Sequence, residues 1–315
     1  MQWVALALGA LKAPLGPPAQ VVVLGLACDA LWPLQTVERD STYFRAYICG
    51  GELPWPREGK SALAPFDEAA TELQRDSALV TEVRAARPRL APNQIGKHGQ
   101  LQEWLDDWDE IEPRHRHLSP LWGLYPGREI TPQSSPALAA AAAVTLTRRG
   151  TGGCGWSYSW KAGLQARLSD GAAALDQLRA LLTRSSLPNF FSLCGRALQV
   201  DGNLGATAAI AELLLQSHQD AIHLLPALPA EWPEGSVQGL RARGGFDVGV
   251  TWSRGRATRA TILAHLSRRC RVQVPGGASV TADGKRVRVT RLGADTVEFT
   301  ATAGQLYQLA IGPVR

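Results

Sequence analysis

The period of the apolar positions changes twice along this chain, and the changes divide it. Up to about residue 65 neither a helical nor a strand period is sustained, and Val21 to Leu24 suits a strand or a buried helical turn equally. From Phe66 onward Ala69, Ala70, Leu73, Val80 and Val83 fall at helical spacing, with Asp67 and Glu68 in a first turn. This predicts a helix over 67–87, stopped by Pro88 and Pro92. Leu101 to Trp108 suits a second, short helix. Further helices are predicted at 137–149, behind Pro136 and ahead of Gly150, then at 157–168, 171–184 and 204–217.

Beyond about residue 238 the period falls to 2. Phe246, Val248, Val250 and Trp252 alternate with Asp247, Gly249 and Thr251, and Ala260–Ala264, Val272–Val274 and Val287–Val289 are shorter versions. Gly276–Gly277 and Asp283–Gly284 suit hairpin turns, and two more strands flank Ala303–Gly304. The expected organisation is α+β and multidomain. An irregular segment (1–65) precedes a helical array or barrel (66–225), a proline-rich connector (226–239) and a small C-terminal β-sandwich (240–315).

Composition narrows the class. The 315 residues, 45% apolar and 19% charged, allow a sizeable core and exclude wholesale disorder. No run reaches the 18 apolar residues of a membrane span, because Pro14, Pro17 and Pro18 interrupt Ala13 to Cys28. The first thirteen residues have a short apolar stretch with no basic residue ahead of it, so they do not make a convincing secretory signal. The five cysteines (Cys28, Cys49, Cys154, Cys194, Cys270) are odd in number and form no CxxC pair, which points away from a zinc site or a disulfide scaffold. From Leu240 to the end, 13 basic residues face 4 acidic ones. No aromatic-basic stacking motif accompanies them, so they suit solvent-facing strand positions better than a nucleic-acid surface.

Three stretches could carry chemistry. Between Glu103 and Glu112 six acids are interleaved with Trp104 and Trp108. Carboxylates beside indole rings suit a sugar cleft, since the ring stacks on a pyranose and apolar contact favours a protonated general acid. A solvated acidic helix with both tryptophans buried on its other side explains the same spacing. His115 and His117 stand two apart in a proline-flanked loop, without further ligands at metal-site spacing, which suits polar substrate contact or structural hydrogen bonding. Asp201 and Asn203, with Gly202 and Gly205, precede the apolar run of the last helix, where they could cap it or face a ligand. Phosphate-loop, Rossmann and Gly-x-Ser-x-Gly signatures are missing.

Taken in order, several blocks resemble glycoside hydrolase family 95, the 1,2-α-L-fucosidase type. They are IGKHGQLQEWLDDWDE (95–110), HRHLS (115–119), GLYPG (123–127), GWSYSWKAGLQARLSDG (155–171), QVDGNLGATAAIAELLLQSH (199–218) and IHLLPALPAEWPEGSVQGLRARGGFDV (222–248). The resemblance covers about residue 66 to the C-terminus. It implies a partial (α/α)₆ barrel followed by the β domain, and inverting hydrolysis of a terminal α-linked L-fucose or L-galactose. It also implies Glu103 as the general acid, and Asp201 as the carboxylate that works with asparagines to activate water. Inverting carboxyl pairs stand roughly 6.5–9.5 Å apart. His115, His117, Trp156, Trp160 and Asn203 fall in matching blocks as substrate-binding candidates. No cofactor or metal is implied, and the expected partner is a fucosylated oligosaccharide or glycan, with neither nucleic acid nor membrane.

This chain departs from the family in three places. Residues 1–65 have no counterpart for the family's N-terminal β domain and first barrel helices, which carry the water-positioning asparagines. Gly195–Leu198 replace a His-Pro-Pro-Phe element, and Pro120 replaces the last histidine of HRHxSH. The expectation is a truncated fucosidase-like chain, or a catalytically impaired carbohydrate-binding relative.

Overall fold

The computed structural model describes residues 67–312 except 68, 72 and 76. The expectations for residues 1–65, including Val21–Leu24, Cys28 and Cys49, lie outside the described residues. The described residues fall into two compact units, divided between Gly150 and Thr151.

In the first unit the expected helix over 67–87 is interrupted. Gln74 turns left-handed (φ 52°) and the Arg75 N–H donates to the Ala70 carbonyl at 3.0 Å, the bonding of a helix C-cap. Helix α1 (Ser77–Ala86) then folds back, burying Val80 and Val83 against Ala70, and Arg84 Nε donates to Asp67 Oδ1 at 2.8 Å. The turn at Arg87–Arg89, built around Pro88, ends it. Helix α2 (Pro136–Arg149) follows its sequence signals closely. Pro136 opens it, and Gly150, at φ 69°, closes it by donating its N–H to the Leu146 and Thr147 carbonyls.

Leu101 to Trp108 is not a helix. Ile95 and Leu101 form a β-bridge around a tight turn at Gly99 (φ 77°). The acids that follow bond to groups ahead of them: Asp107 Oδ2 accepts the Lys97 N–H at 2.6 Å, and Asp109 meets Lys97 Nζ and His98 Nε2 at 2.9 Å each. Side chains that satisfy turn donors compete with a helix, and here they win. Trp104 and Trp108 are accordingly 45% and 62% exposed, not packed beneath a helix.

The second unit begins with three helices, α3 (Gly155–Arg167), α4 (Gly171–Arg184) and α5 (Val200–Leu214). Asp170 caps α4 by accepting the Ala173 N–H at 2.9 Å. Ala162 and Ala166 of α3, Ala174 and Leu178 of α4, and Ala209 and Leu213 of α5 share one core with Ala227. Ala227 belongs to the proline-rich stretch, so that connector is packed against the helices. Between α4 and α5 a short hairpin, β1 (Leu193–Cys194) with β2 (Ala197–Leu198), is joined to the start of α3 by a Cys154–Cys194 disulfide. This corrects the expectation drawn from cysteine spacing: partners 40 residues apart leave no local pattern.

The remaining strands are β3 (Leu215–Gln216), β4 (Ile222–Leu224), β5 (Gly235–Ala242), β6 (Phe246–Ser253), β7 (Arg256–Ala264), β8 (Arg268–Gln273), β9 (Ala278–Ala282), β10 (Lys285–Arg286), β11 (Thr290–Arg291), β12 (Thr296–Ala301) and β13 (Leu306–Ile311). One sheet has the order β10-β9-β13-β7-β6-β5 and the other β11-β12-β8-β4-β3. Their inner faces share a core of Ile222, Leu224, Phe246, Val248, Ile262, Val272, Val297, Phe299 and Leu309 among others. The strands of these two sheets thus begin at Leu215, directly after α5 and ahead of the proline-rich stretch. Asp283–Gly284 makes the expected two-residue hairpin, both residues at positive φ, between β9 and β10. Gly276–Gly277 instead carries the chain from β8 in one sheet to β9 in the other, and Val287–Val289 lies between strands. Cys270 is a buried core thiol, pushed by burial up to about 12, and is unreactive there.

Candidate functional site

Each unit carries one of the two carboxylates singled out by the sequence. Glu103 lies in the turn-rich segment that packs along the last turns of α2. That segment is docked by the Leu101 N–H, which donates to Thr145 Oγ1 at 2.9 Å, and by the fully buried Leu101 side chain. Arg149, the last residue of α2, has a side chain only 2% exposed and donates from Nη2 to Glu103 Oε2 at 2.7 Å. The same group stands 3.4 Å from Glu110 Oε1, while Arg149 Nη1 donates to the Glu112 carbonyl at 3.3 Å. Arg148 reaches the other Glu110 oxygen at 3.4 Å. Two arginines at a helix C-terminus therefore meet Glu103 and Glu110, a placement the helix dipole also favours. Asp109 is held below the usual carboxylate range by its bond to His98 and then by its bond to Lys97.

His115 and His117 stack at 4.7 Å between ring centroids, and His115 Nδ1 meets Glu112 Oε2 at 2.9 Å. Through Glu112 and Arg149 the histidine loop belongs to the same polar network as Glu103. No group of three or more metal-ligating side chains occurs among the described residues, and no described helix is long and apolar enough to cross a membrane.

Asp201 lies in the first turn of α5, which starts four residues earlier than its apolar period suggested. The cap position belongs to Gln199, which makes no side-chain cap bond. Asn203 braces a neighbouring loop: Oδ1 accepts the Ser192 N–H at 2.9 Å, and Nδ2 donates to the Phe190 carbonyl at 2.6 Å. The turn is placed by close approach of α3 and α5. A Cβ on Gly202 would stand 2.5 Å from Ser192 Oγ and 2.9 Å from the Gly155 carbonyl carbon, and one on Gly205 would collide with Ser159. Trp156 and Trp160 each follow one of these contact positions on α3, half-buried, with ring centroids 6.2 Å apart. Asp201, Asn203 and the tryptophan pair are thus gathered around one helix crossing. The sequence pattern missed Arg149, which looked like an ordinary basic residue at a helix end, and the Cys154–Cys194 tie.

Residues 60–214 match the family model of the glycosyl hydrolase family 95 catalytic domain, and residues 216–309 that of the glycoside hydrolase family 95 C-terminal domain. Alpha-L-fucosidase 2 of Arabidopsis thaliana is 44% identical over 188 residues, 56% of this chain and 22% of that protein. Probable alpha-fucosidase A of Aspergillus niger is 35% identical over 178 residues, 50% of this chain and 22% of that protein. This chain therefore spans about a fifth of the length of those relatives. A solved glycoside hydrolase is similar at 11% identity and a TM-score of 0.24, over 55% of this chain and 32% of that one, and carries no argument.

Proposed function

This chain belongs to glycoside hydrolase family 95, and from that premise we propose that it hydrolyses terminal α-linked L-fucose, or the related L-galactose, from oligosaccharides with inversion. Glu103 protonates the departing glycosidic oxygen as the C1–O bond breaks. Asp201 takes a proton from the water whose oxygen bonds to C1 from the opposite face. Two carboxylates and a water suffice, so no cofactor enters. His115, His117, Trp156 and Trp160 line the sugar, Asn203 acts from the turn that carries Asp201, and the helices form part of an (α/α)₆ barrel. The substrate is a fucosylated glycan, with no part for nucleic acid or membrane.

The observation that carries this reading is the anchoring of Glu103. A buried guanidinium fixes Oε2, which leaves Oε1, unbonded among the described residues, to present a proton in one orientation. Glu103→Gln should therefore depress hydrolysis of natural fucosides by roughly 10²-fold or more. Aryl fucosides, whose leaving groups need little protonation, should lose much less. Equal losses on the two substrates would remove the acid assignment.

The same ion pair favours a second reading. The guanidinium donates to a Glu103 oxygen, which suits a carboxyl that accepts hydrogen bonds, whereas a general acid must donate one. A glycan-binding relative with impaired turnover has no such conflict. Calorimetric binding of a fucosylated oligosaccharide that is not released on prolonged incubation identifies that case.

A further inference from the structure

We propose that the Cys154–Cys194 disulfide positions the turn that carries Asp201, and that a dithiol which opens it slows water activation while the rest of the chain stays folded. The catalytic consequence rests on the fucoside reading above. Three pieces of backbone meet at the disulfide: the start of α3, the β1–β2 hairpin and the first turn of α5. Cys154 is the N-cap residue of α3, and Cys194 ends β1. After β2, Gln199 leads directly into α5, in which Asp201 is the second residue. The Gln199 N–H donates to the Ser192 carbonyl at 3.0 Å, and Ser192 Oγ donates to the Gln199 carbonyl. The Ser192 N–H donates to Asn203 Oδ1 at 2.9 Å. A shift of β1 is therefore passed to the Asp201 turn.

The hairpin is too small to hold that position by itself. Each strand has two residues, Gly195 to Leu198 are exposed, and so short a two-stranded ribbon is at best marginal. The Leu193 N–H donates to the Ser185 carbonyl at 2.8 Å, which ties the hairpin to the end of α4. Against α3 it makes close backbone packing: a Cβ on Gly155 would stand 2.9 Å from the Leu193 carbonyl oxygen. Such packing resists compression but not separation, and a covalent bond resists both. The helices have a core of their own, with Ala162 of α3, Leu178 of α4 and Ala209 and Leu213 of α5 about two turns or more from the junction. Opening the disulfide thus frees the junction and spares that core. Cys154 is 7% exposed and Cys194 half-buried, so an incoming thiolate meets the Cys194 sulfur. The electron pair of the S–S bond leaves on the Cys154 sulfur, at the N-terminus of a 13-residue helix, where the dipole favours an anion. The second thiol of the dithiol then displaces Cys194. The dithiol ends as a cyclic disulfide, and its two protons end on the two cysteine thiols.

The test treats the full chain with dithiothreitol, maps the reduced cysteines by alkylation and peptide mass, and compares it with the double variant Cys154→Ser/Cys194→Ser. Serine is a favourable N-cap, so the variant keeps the start of α3. Amide exchange should rise roughly 10-fold or more across residues 190–204 of the reduced chain, and stay unchanged within 160–180 and in β6 and β7. With an aryl fucoside, kcat should fall roughly 10-fold or more while KM is kept, and reoxidation should restore it. The double variant should show the reduced values with or without dithiol. Unchanged exchange at 190–204 once both thiols are alkylated, or a rise spread equally over all these segments, overturns the positioning role. An unchanged kcat beside a local rise in exchange does the same. A disulfide-bonded wild-type chain that hydrolyses no fucoside overturns the parent reading and the catalytic consequence with it, while the exchange comparison still decides whether the disulfide holds the turn.

Discussion

The two carboxylates are supported by opposite means. The Glu103 segment is irregular, and charge holds it: Arg149 on Glu103, Arg148 on Glu110, and Lys97 with His98 on Asp109. The Asp201 turn is regular helix, held by the absence of side chains, with Gly202 and Gly205 letting α5 close on Ser192, Gly155 and Ser159. A polar clamp positions a group through directional bonds and responds to pH and charge deletion. A steric clamp responds to added volume and is blind to both. The comparison therefore predicts which perturbation each carboxylate feels.

The largest effect should follow Arg149→Met. Deleting a buried cation leaves Glu103 without its partner and Glu110 with only Arg148. Breaking such a pair costs about 3–5 kcal/mol when both ends are buried. The Glu103 side chain is 21% exposed, so about 2–3 kcal/mol is expected in urea unfolding. Arg149→Lys should recover part of it, because one ammonium replaces one of the guanidinium contacts. A neutral Arg149→Met would mean that charge does not hold the Glu103 segment.

Next comes Gly202→Ala. On helix propensity alone alanine gains up to about 1 kcal/mol over glycine. The structure reverses the sign, because the new methyl meets Ser192 and the Gly155 backbone. A net loss of about 1–3 kcal/mol is expected, with little dependence on pH. A stabilised Gly202→Ala chain would show that the α3–α5 approach is looser than this geometry.

The smallest effect concerns Asp109. Its pKa is lowered from 3.8 by His98 first and Lys97 second, so the folded state binds its proton less readily than the unfolded one. The stability it contributes is present above about 3.8 and is lost as pH falls through the lower folded value. Hydrogen exchange across residues 96–109 should therefore show protection lost on acidification in wild type. Asp109→Asn should be less protected at pH 6 and flatter with pH. Equal pH dependence in the two chains would assign the acid response to other groups.

What was legible in the sequence was local. Pro136 and Gly150 bound α2, Asp283–Gly284 turns β9 into β10, and the period-2 alternation of Phe246 to Trp252 sets the inward face of β6. Each depends on φ/ψ preferences or on partners within a few residues, so composition and spacing suffice to find it. Local rules failed where a distant partner outbid them. The 101–108 segment has helical spacing, yet its Asp107 found the Lys97 N–H, the adjoining Asp109 found His98, and its glutamate found Arg149, 46 residues further along the chain. The Cys154–Cys194 tie, the parallel pairing of β4 with β8, and the passage of Gly276–Gly277 between sheets likewise join positions chosen by packing. Tertiary structure alone decided these, because a contact between remote residues depends on how the intervening elements pack, and no periodicity encodes that.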